Sequence, residues 1–387
     1  MRKEYLITPG PTPVPPEVLL SQAKPIIHHR TPEYTKIFVE ALEGLKYIFQ
    51  TKNDVLLFAS SGTGAMESAV VNLFSAGDKV IVSANGKFGD RFIKLTETYG
   101  LDVIKLEYPW DKVVSPADIE QKLQENPDVK GVFVTQSETS TGVLNDVKTI
   151  GEIVAKTGAV LIVDSITGIG AVETKTDEWN LDVVMTGSQK GLMLPPGLAA
   201  VSVSEKAWQL AETSTLPKFY FSWAKARAAL QKKEPQNAFT PAVSLIVGLS
   251  ESLRMMREEG LDNVIKRHAL LASAVRAGVQ AIGLEIFAPV EGRGNAVTPV
   301  QVPEGVDGKA IPKIMSSKYG VTIAGGQDHL AGKIFRLGHL GYYDKFDITT
   351  TLSALEMTLK ELGYEFEMGV SLKAAQEVFL EGTGFRV

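Results

Sequence analysis

A chain of 387 residues, 44% hydrophobic and 22% charged, with a net charge of -5, is long enough for two domains and has the make-up of an ordinary globular protein. That balance leaves no basic face for nucleic acid and no tail of like charge. The absence of cysteine excludes disulfides, iron–sulfur clusters and thiolate nucleophiles, and five histidines without a His-Glu-x-x-His spacing argue against a bound metal.

The first residues, Met1 to Pro13, contain no apolar stretch of signal-peptide length, and no later segment approaches a membrane span, so a cytoplasmic protein is expected. The proline-rich stretch 9–16 reads as an extended arm. From Asp54 to about Ser204, short apolar runs at 55–58, 79–82, 103–106, 131–135, 159–164, 183–185 and 198–203 alternate with helix-length amphipathic stretches. This is a βα series, hence a mostly parallel sheet covered by helices on both faces, which binds ligands beyond the carboxyl ends of its strands.

Several residues stand at such strand ends. Ser61, Gly62 and Thr63 lie in a glycine-rich turn that opens a helix, where free amides and a positive dipole end suit a phosphate. The turn matches neither the Walker pattern nor the dinucleotide fingerprint, whose third small residue is Glu67 here, so a plain capped helix start is the competing reading. Phe88, after the next strand, reads either as a stacking partner for a cofactor ring or as a core aromatic. The loop 137–142 is rich in hydroxyls.

Asp164 closes one apolar run and also fits a turn; the two roles are compatible. Lys190 follows another run and precedes Gly191-Leu192-Met193-Leu194-Pro195-Pro196-Gly197, apolar and rigid residues that would desolvate an amine and lower its pKa. Lysine and aspartate so placed suggest pyridoxal phosphate: the amine holds the aldehyde as a Schiff base, and the carboxylate pairs with the protonated pyridine nitrogen.

From Pro241 to about Ile282 the pattern is helical, with a break near Gly260. A smaller α+β region follows, with elements at 297–302, 309–318 and 333–338 and a closing helix over about 347–362. Arg336 interrupts the apolar run 333–338, and a buried guanidinium requires an anion, either a substrate carboxylate or a protein acid.

On Thr8-Pro-Gly-Pro-Thr-Pro, His29-Arg30-Thr31-Pro32-Glu33, Ser61-Gly62-Thr63-Gly64-Ala65-Met66-Glu67, Ser137-Glu138-Thr139-Ser140-Thr141-Gly142, Asp164-Ser165, Gly187-Ser188-Gln189-Lys190, Pro195-Pro196-Gly197, Thr240-Pro241 and Arg336-Leu337-Gly338, the chain resembles the class V, fold-type I pyridoxal-phosphate enzymes. Within them it is most similar to the alanine–glyoxylate and serine–pyruvate aminotransferases. The resemblance runs nearly end to end and implies an α/β fold: an arm over residues 1–18, a large cofactor-binding domain over 19–258 with a mostly parallel seven-stranded sheet, and a small α+β domain over 259–387.

It further implies that Lys190 is the Schiff-base lysine and proton carrier, and that Asp164 is the partner of the pyridine nitrogen. Ser61, Gly62, Thr63 and Gln189 would hold the phosphate, Phe88 would stack on the ring, and Thr139 would bond the phenolic oxygen. Arg336 would take the substrate carboxylate, helped by backbone near Gly10. The group is dimeric, which makes Thr240 and Asn237 candidates for the neighbouring subunit's phosphate.

The implied reaction moves an amino group from alanine or serine to glyoxylate or pyruvate by a ping-pong mechanism. Aspartate or another donor, or a pyridoxal-phosphate lyase, are the alternatives. His29 and Arg30, near the arm, are candidates for a second carboxylate. Relatives that use a histidine where Phe88 stands gain a donor that this chain lacks, and without cysteine a desulfurase is disfavoured. Chains of this appearance also carry an old label as a soluble hydrogenase subunit, a reading that the missing thiolates oppose.

Overall fold

The computed structural model describes residues 3–382; the first two positions of the expected arm and the last five of the expected small domain lie outside the described residues. Its centre is a seven-stranded sheet in the order β2-β10-β9-β8-β5-β3-β4. These strands are β2 (Asp54–Phe58), β3 (Lys79–Ala84), β4 (Asp102–Glu107), β5 (Gly131–Thr135), β8 (Val160–Asp164), β9 (Val183–Gly187) and β10 (Ala199–Val203). The short strands β1 (Tyr5–Leu6), β6 (Ser137–Glu138) and β7 (Val143–Leu144) lie outside it.

Every residue of β5, β8, β9 and β10 is buried, which is why these segments read as unbroken apolar runs. β4, on the edge, alternates and keeps Lys105 and Glu107 toward water. β10 runs antiparallel to both neighbours, so the sheet is mixed at one point, which the apolar run 198–203 alone did not reveal.

Helices α1 (Pro16–Gln22), α2 (Pro32–Phe49), α3 (Gly62–Leu73) and α4 (Lys87–Thr98) cover the sheet with those that follow. α2 starts at Pro32 behind Thr31, whose hydroxyl accepts from Tyr34 N, and stops where Gln50 turns left-handed at φ 52°. Two apolar clusters fill the two faces of the sheet, one around Phe38, Leu161 and Leu249, the other around Phe74, Phe133 and Trp223.

The helices Val243–Glu259 and Leu261–Ala281 meet at Gly260. Beyond them β11 (Val297–Gln301), β14 (Ile334–Gly338) and β13 (Ala324–Gly325) form a second sheet, and β12 (Val321–Thr322) pairs with β1. The expected closing helix is Lys345–Glu361, but it does not close the chain: a further helix, Val370–Glu381, packs on Leu261–Ala281. Its start behind Gly369, without a Ser, Thr, Asp or Asn cap, gave no helix-start signal in the sequence.

The arm also differs from a free extended segment. α1 begins inside it at Pro16, and Tyr5 to Ile7 are pinned by hydrogen bonds to Gly320, Thr322 and Gly338. Among the described residues no helix is long and apolar enough to cross a membrane.

Candidate active site

β8 and β9 are parallel neighbours, paired from Ile162 and Val183 to Asp164 and Met185. Their adjacency puts the turns that follow them side by side, with Asp164 at the end of one and Lys190 just beyond the other. Both side chains are buried, 3% and 7% exposed. Burial, helped by Glu138, pushes the Asp164 carboxyl up to about 7 despite the hydrogen bond from Ile166 N at 2.9 Å. That bond is the turn role read from the sequence, so Asp164 closes a turn and faces the site at once. For Lys190, burial and then the Arg336 charge bring the amine down to about 8.

The arm forms the wall over Lys190. Lys190 Nζ donates to the Pro9 carbonyl at 2.5 Å, and Thr12 bonds the backbone of Gln189 and Lys190, at 3.2 Å in both cases. Gly10 has φ +132°, and a Cβ there would lie 2.4 Å from Lys190 Nζ. Only glycine lets the arm pass so close to the amine.

α3 opens beside this turn. Ser61 is its N-cap residue but supplies no side-chain cap, so its first amides have no cap from that residue. Around Gly187, the Gly62 amide and Gln189 Oε1 stand 3.6 and 3.1 Å from where a Cβ would be. Gln189 Oε1 is buried and has no partner among the described residues. Thr63 Oγ1 accepts from Arg91 at 2.9 Å.

Phe88 sits in the first turn of α4, half-buried rather than in the core, with the Arg91 guanidinium 4.7 Å from its ring centre. Thr139 is buried, with its hydroxyl 2.5 Å from that of Thr167.

Arg336 lies in the middle of β14, 6% exposed. It donates to the carbonyls of Gly325 at 2.9 Å and Thr139 at 3.0 Å. Among the described residues no carboxylate comes within ion-pair distance of it, so the protein-acid reading fails. Burial lowers its guanidinium to about 10.

Asn237 and Thr240 stand apart. Asn237 is held by Tyr34 and, through its carbonyl, by Arg30 at 3.1 Å, while Thr240 is exposed. Among the described residues no hydrogen bond links either to Lys190, Asp164 or Arg336. Arg30 also donates to Gln236 at 2.5 Å, and the His29 ring lies against that of His28, with no hydrogen bond to a site group among the described residues. Sequence reasoning overlooked Arg91, Thr167 and the arm residue Thr12, and assigned Glu138 no role. Arg91 had a signal: it lies three residues after Phe88, on the same helix face.

Adjacent parallel strands ending in a buried carboxylate and a buried amine, beside an uncapped helix start, belong to the α/β fold of pyridoxal-phosphate-dependent aminotransferases. A crystal structure of ureidoglycine–glyoxylate aminotransferase from Bacillus subtilis superposes with a TM-score of 0.94 at 31% identity, covering 98% of this chain and 99% of that one. The family profile described as aminotransferase class-V matches residues 4–339, and the chain belongs to that family.

Among its relatives are a protein named soluble hydrogenase, small subunit, from Synechococcus (46% identical over 97% of this chain and 98% of the relative) and a serine–glyoxylate aminotransferase from Hyphomicrobium methylovorum (39%, over 97% and 94%). An L-aspartate–glyoxylate aminotransferase from Paracoccus denitrificans is 37% identical, over 98% and 96%.

Proposed function

We propose that this chain binds pyridoxal 5'-phosphate on Lys190 and moves the amino group of a small amino acid, serine or alanine, to glyoxylate or pyruvate in a ping-pong cycle. The observation that carries this reading is the buried Lys190–Asp164 pair with Arg336 beside it: an amine near neutrality, a carboxylate and an unpaired guanidinium.

The residues fit the cofactor. Arg336 and Arg91 are guanidiniums with no ion-pair partner among the described residues, which leaves positive charge for an anion. The uncapped start of α3 suits a phosphate, and the unpartnered Gln189 amide, turned over, offers it an N–H donor. Ser61, Gly62, Thr63 and Gln189 would hold the phosphate, Phe88 the ring face, Thr139 the phenolic oxygen and Asp164 the ring nitrogen.

When bound, the group supplies an electron sink for the charge that builds at the substrate's α-carbon. The protein does the rest. Arg336 would anchor the α-carboxylate and so orient the α-carbon for the Lys190 amine. Lys190 Nζ, neutral at mildly alkaline pH, would take the α-proton and hold it beside the reacting carbon. Asp164 would hold the ring nitrogen, and its carboxylate would favour the protonated form of that nitrogen.

The names of the Hyphomicrobium and Paracoccus relatives support glyoxylate as acceptor and make aspartate the second candidate donor. The Synechococcus name does not transfer, because a chain without cysteine has no thiolate for an iron–sulfur cluster. We further take the active form to be a cytoplasmic homodimer in which Asn237 and Thr240 serve the neighbour's phosphate. Thr240 is exposed beside an aromatic group in which Phe239 stacks on Phe219 and Tyr220, themselves 71% and 41% exposed. The chain divides near residue 258, a boundary supported by the break at Gly260.

The test is spectroscopic. Purified protein incubated with pyridoxal phosphate is expected to gain a band near ~420 nm, to lose it with serine or alanine, and to regain it with glyoxylate or pyruvate. Bleaching by aspartate alone reassigns the donor, and a protein that stays colourless contradicts the reading.

A further inference from the structure

Glu138 is fully buried and has no part in the mechanism above. Its Oε2 accepts from the backbone amides of Phe88 at 3.0 Å and Gly89 at 3.2 Å. Its Oε1 accepts from Ser140 N at 3.1 Å and Ser140 Oγ at 2.5 Å. Ser140 Oγ in turn accepts from Lys87 N at 3.0 Å, so its own hydrogen is committed to Glu138. Four donors and no acceptor surround the carboxyl, an environment that only the ionised form satisfies. Burial raises this carboxyl, while the same four bonds pull it down.

The placement has a reason. α4 starts behind Gly86, which has no side chain to cap it. Its first amides, those that carry Phe88, are therefore left to another segment, and Glu138 supplies the cap from the strand β6. The fit is tight: a Cβ on Gly86 would lie 2.3 Å from Glu138 Cγ. From Glu138 the chain runs directly into Thr139, whose hydroxyl meets Thr167 and whose carbonyl takes Arg336. One carboxylate thus ties the ring residue of the site to the anchor of its carboxylate-binding residue.

We propose that Glu138 is a positioning residue for amino transfer: without touching substrate or cofactor, its carboxylate sets the pose of Phe88 through the first turn of α4 and the pose of Arg336 through Thr139, and supplies a fixed negative charge to the site. The proposal rests on the pyridoxal phosphate reading given above. An ordinary helix cap would also stabilise the fold, but it would leave the electrostatics of the cofactor unchanged.

The experiment compares wild type, Glu138→Gln and Glu138→Asp as full-length proteins. It reads pyridoxal phosphate affinity by absorbance titration, the pH midpoint of the visible band of the loaded protein, and KM and kcat for the amino donor. In Glu138→Gln the new NH2 faces donors and the charge is gone. Affinity for the cofactor is expected to fall about 10- to 100-fold and KM for the donor to rise. The pH midpoint is expected to drop by about one unit, because a protonated nitrogen loses a nearby anion.

Glu138→Asp keeps the charge and should restore the midpoint while affinity stays low. Should Glu138→Gln not fold, Ser140→Ala, which removes one donor and leaves the charge, is expected to lower affinity by a smaller factor with the midpoint unmoved. Wild-type affinity, KM and midpoint in Glu138→Gln, or wild-type affinity and KM in Ser140→Ala where it stands in, overturn the proposal and leave the cofactor reading intact. A wild-type protein that never takes up the cofactor overturns both.

Discussion

The two sheets present their charges in opposite ways. The seven-stranded sheet ends its strands and hands Asp164 and Lys190 to the turns beyond them, where local backbone and the arm fix each group. The three-stranded sheet instead carries Arg336 within a strand, opposite Pro299 and Ala324, and steadies it with the carbonyls of Gly325, from the neighbouring strand, and of Thr139, from a distant segment. A turn tolerates small changes in its strand, whereas a residue inside a strand depends on register: a slip of one position would send Arg336 to the other face. The half expected to hold the cofactor thus places its groups in turns, and the half expected to hold the substrate places its group inside a strand, while both reach far along the chain, Lys190 to Pro9 and Arg336 to Thr139.

Breaking the first half should cost the most. Lys190→Ala removes both the anchor and the proton carrier, and kcat is expected to fall by roughly 10³-fold or more, measured as oxo-acid-dependent amino transfer. Breaking the second half should cost less and show differently. Arg336→Gln is expected to lower kcat/KM by about 10- to 150-fold, mostly through KM for both the amino acid and the oxo acid, since two charge-assisted bonds to a carboxylate are lost.

Between the halves runs the arm. Gly10→Ala places a methyl against Lys190 at a φ that alanine avoids, and a stability loss of about 1–3 kcal/mol is expected in thermal unfolding, together with weaker cofactor uptake.

The smallest effect is the one that couples the two regions. Attachment of an aldehyde needs the neutral amine, and burial with the Arg336 charge holds Lys190 at about 8. The rate of cofactor attachment, followed by stopped-flow absorbance, should therefore climb about tenfold per pH unit up to about pH 8 and then level. A lysine at its ordinary value would keep climbing to about pH 10. In Arg336→Gln the amine loses a neighbouring positive charge, so the break should move to higher pH. A break that stays put in that variant would mean the two halves are electrostatically independent.

These contrasts also explain what could be read before the structure. Asp164 and Lys190 were visible because a parallel strand buried on both faces leaves an unbroken apolar run, and the first polar residue after it is placed by the fold. Gly62 and Arg336 were visible for related reasons, a glycine-rich helix start and a charge inside an apolar run. The antiparallel sense of β10 was hidden, because a run of buried residues looks the same in either direction. Glu138 was hidden because its partners, Phe88 and Gly89, belong to another βα unit. Thr12 acts through the backbone of Lys190, a contact that only the folded arm creates. What escaped is cross-element contact, and it is concentrated around the carboxylate that spans both halves.

The central claim is that one lysine, Lys190, carries the chemistry. Reduction of the pyridoxal-phosphate-loaded protein with borohydride, followed by digestion and mass mapping, tests it most directly, because reduction makes the bond between amine and cofactor permanent. The account predicts a single modified peptide containing Lys190, and none when an amino donor has been added first. Modification at another lysine, or spread over many, would contradict it.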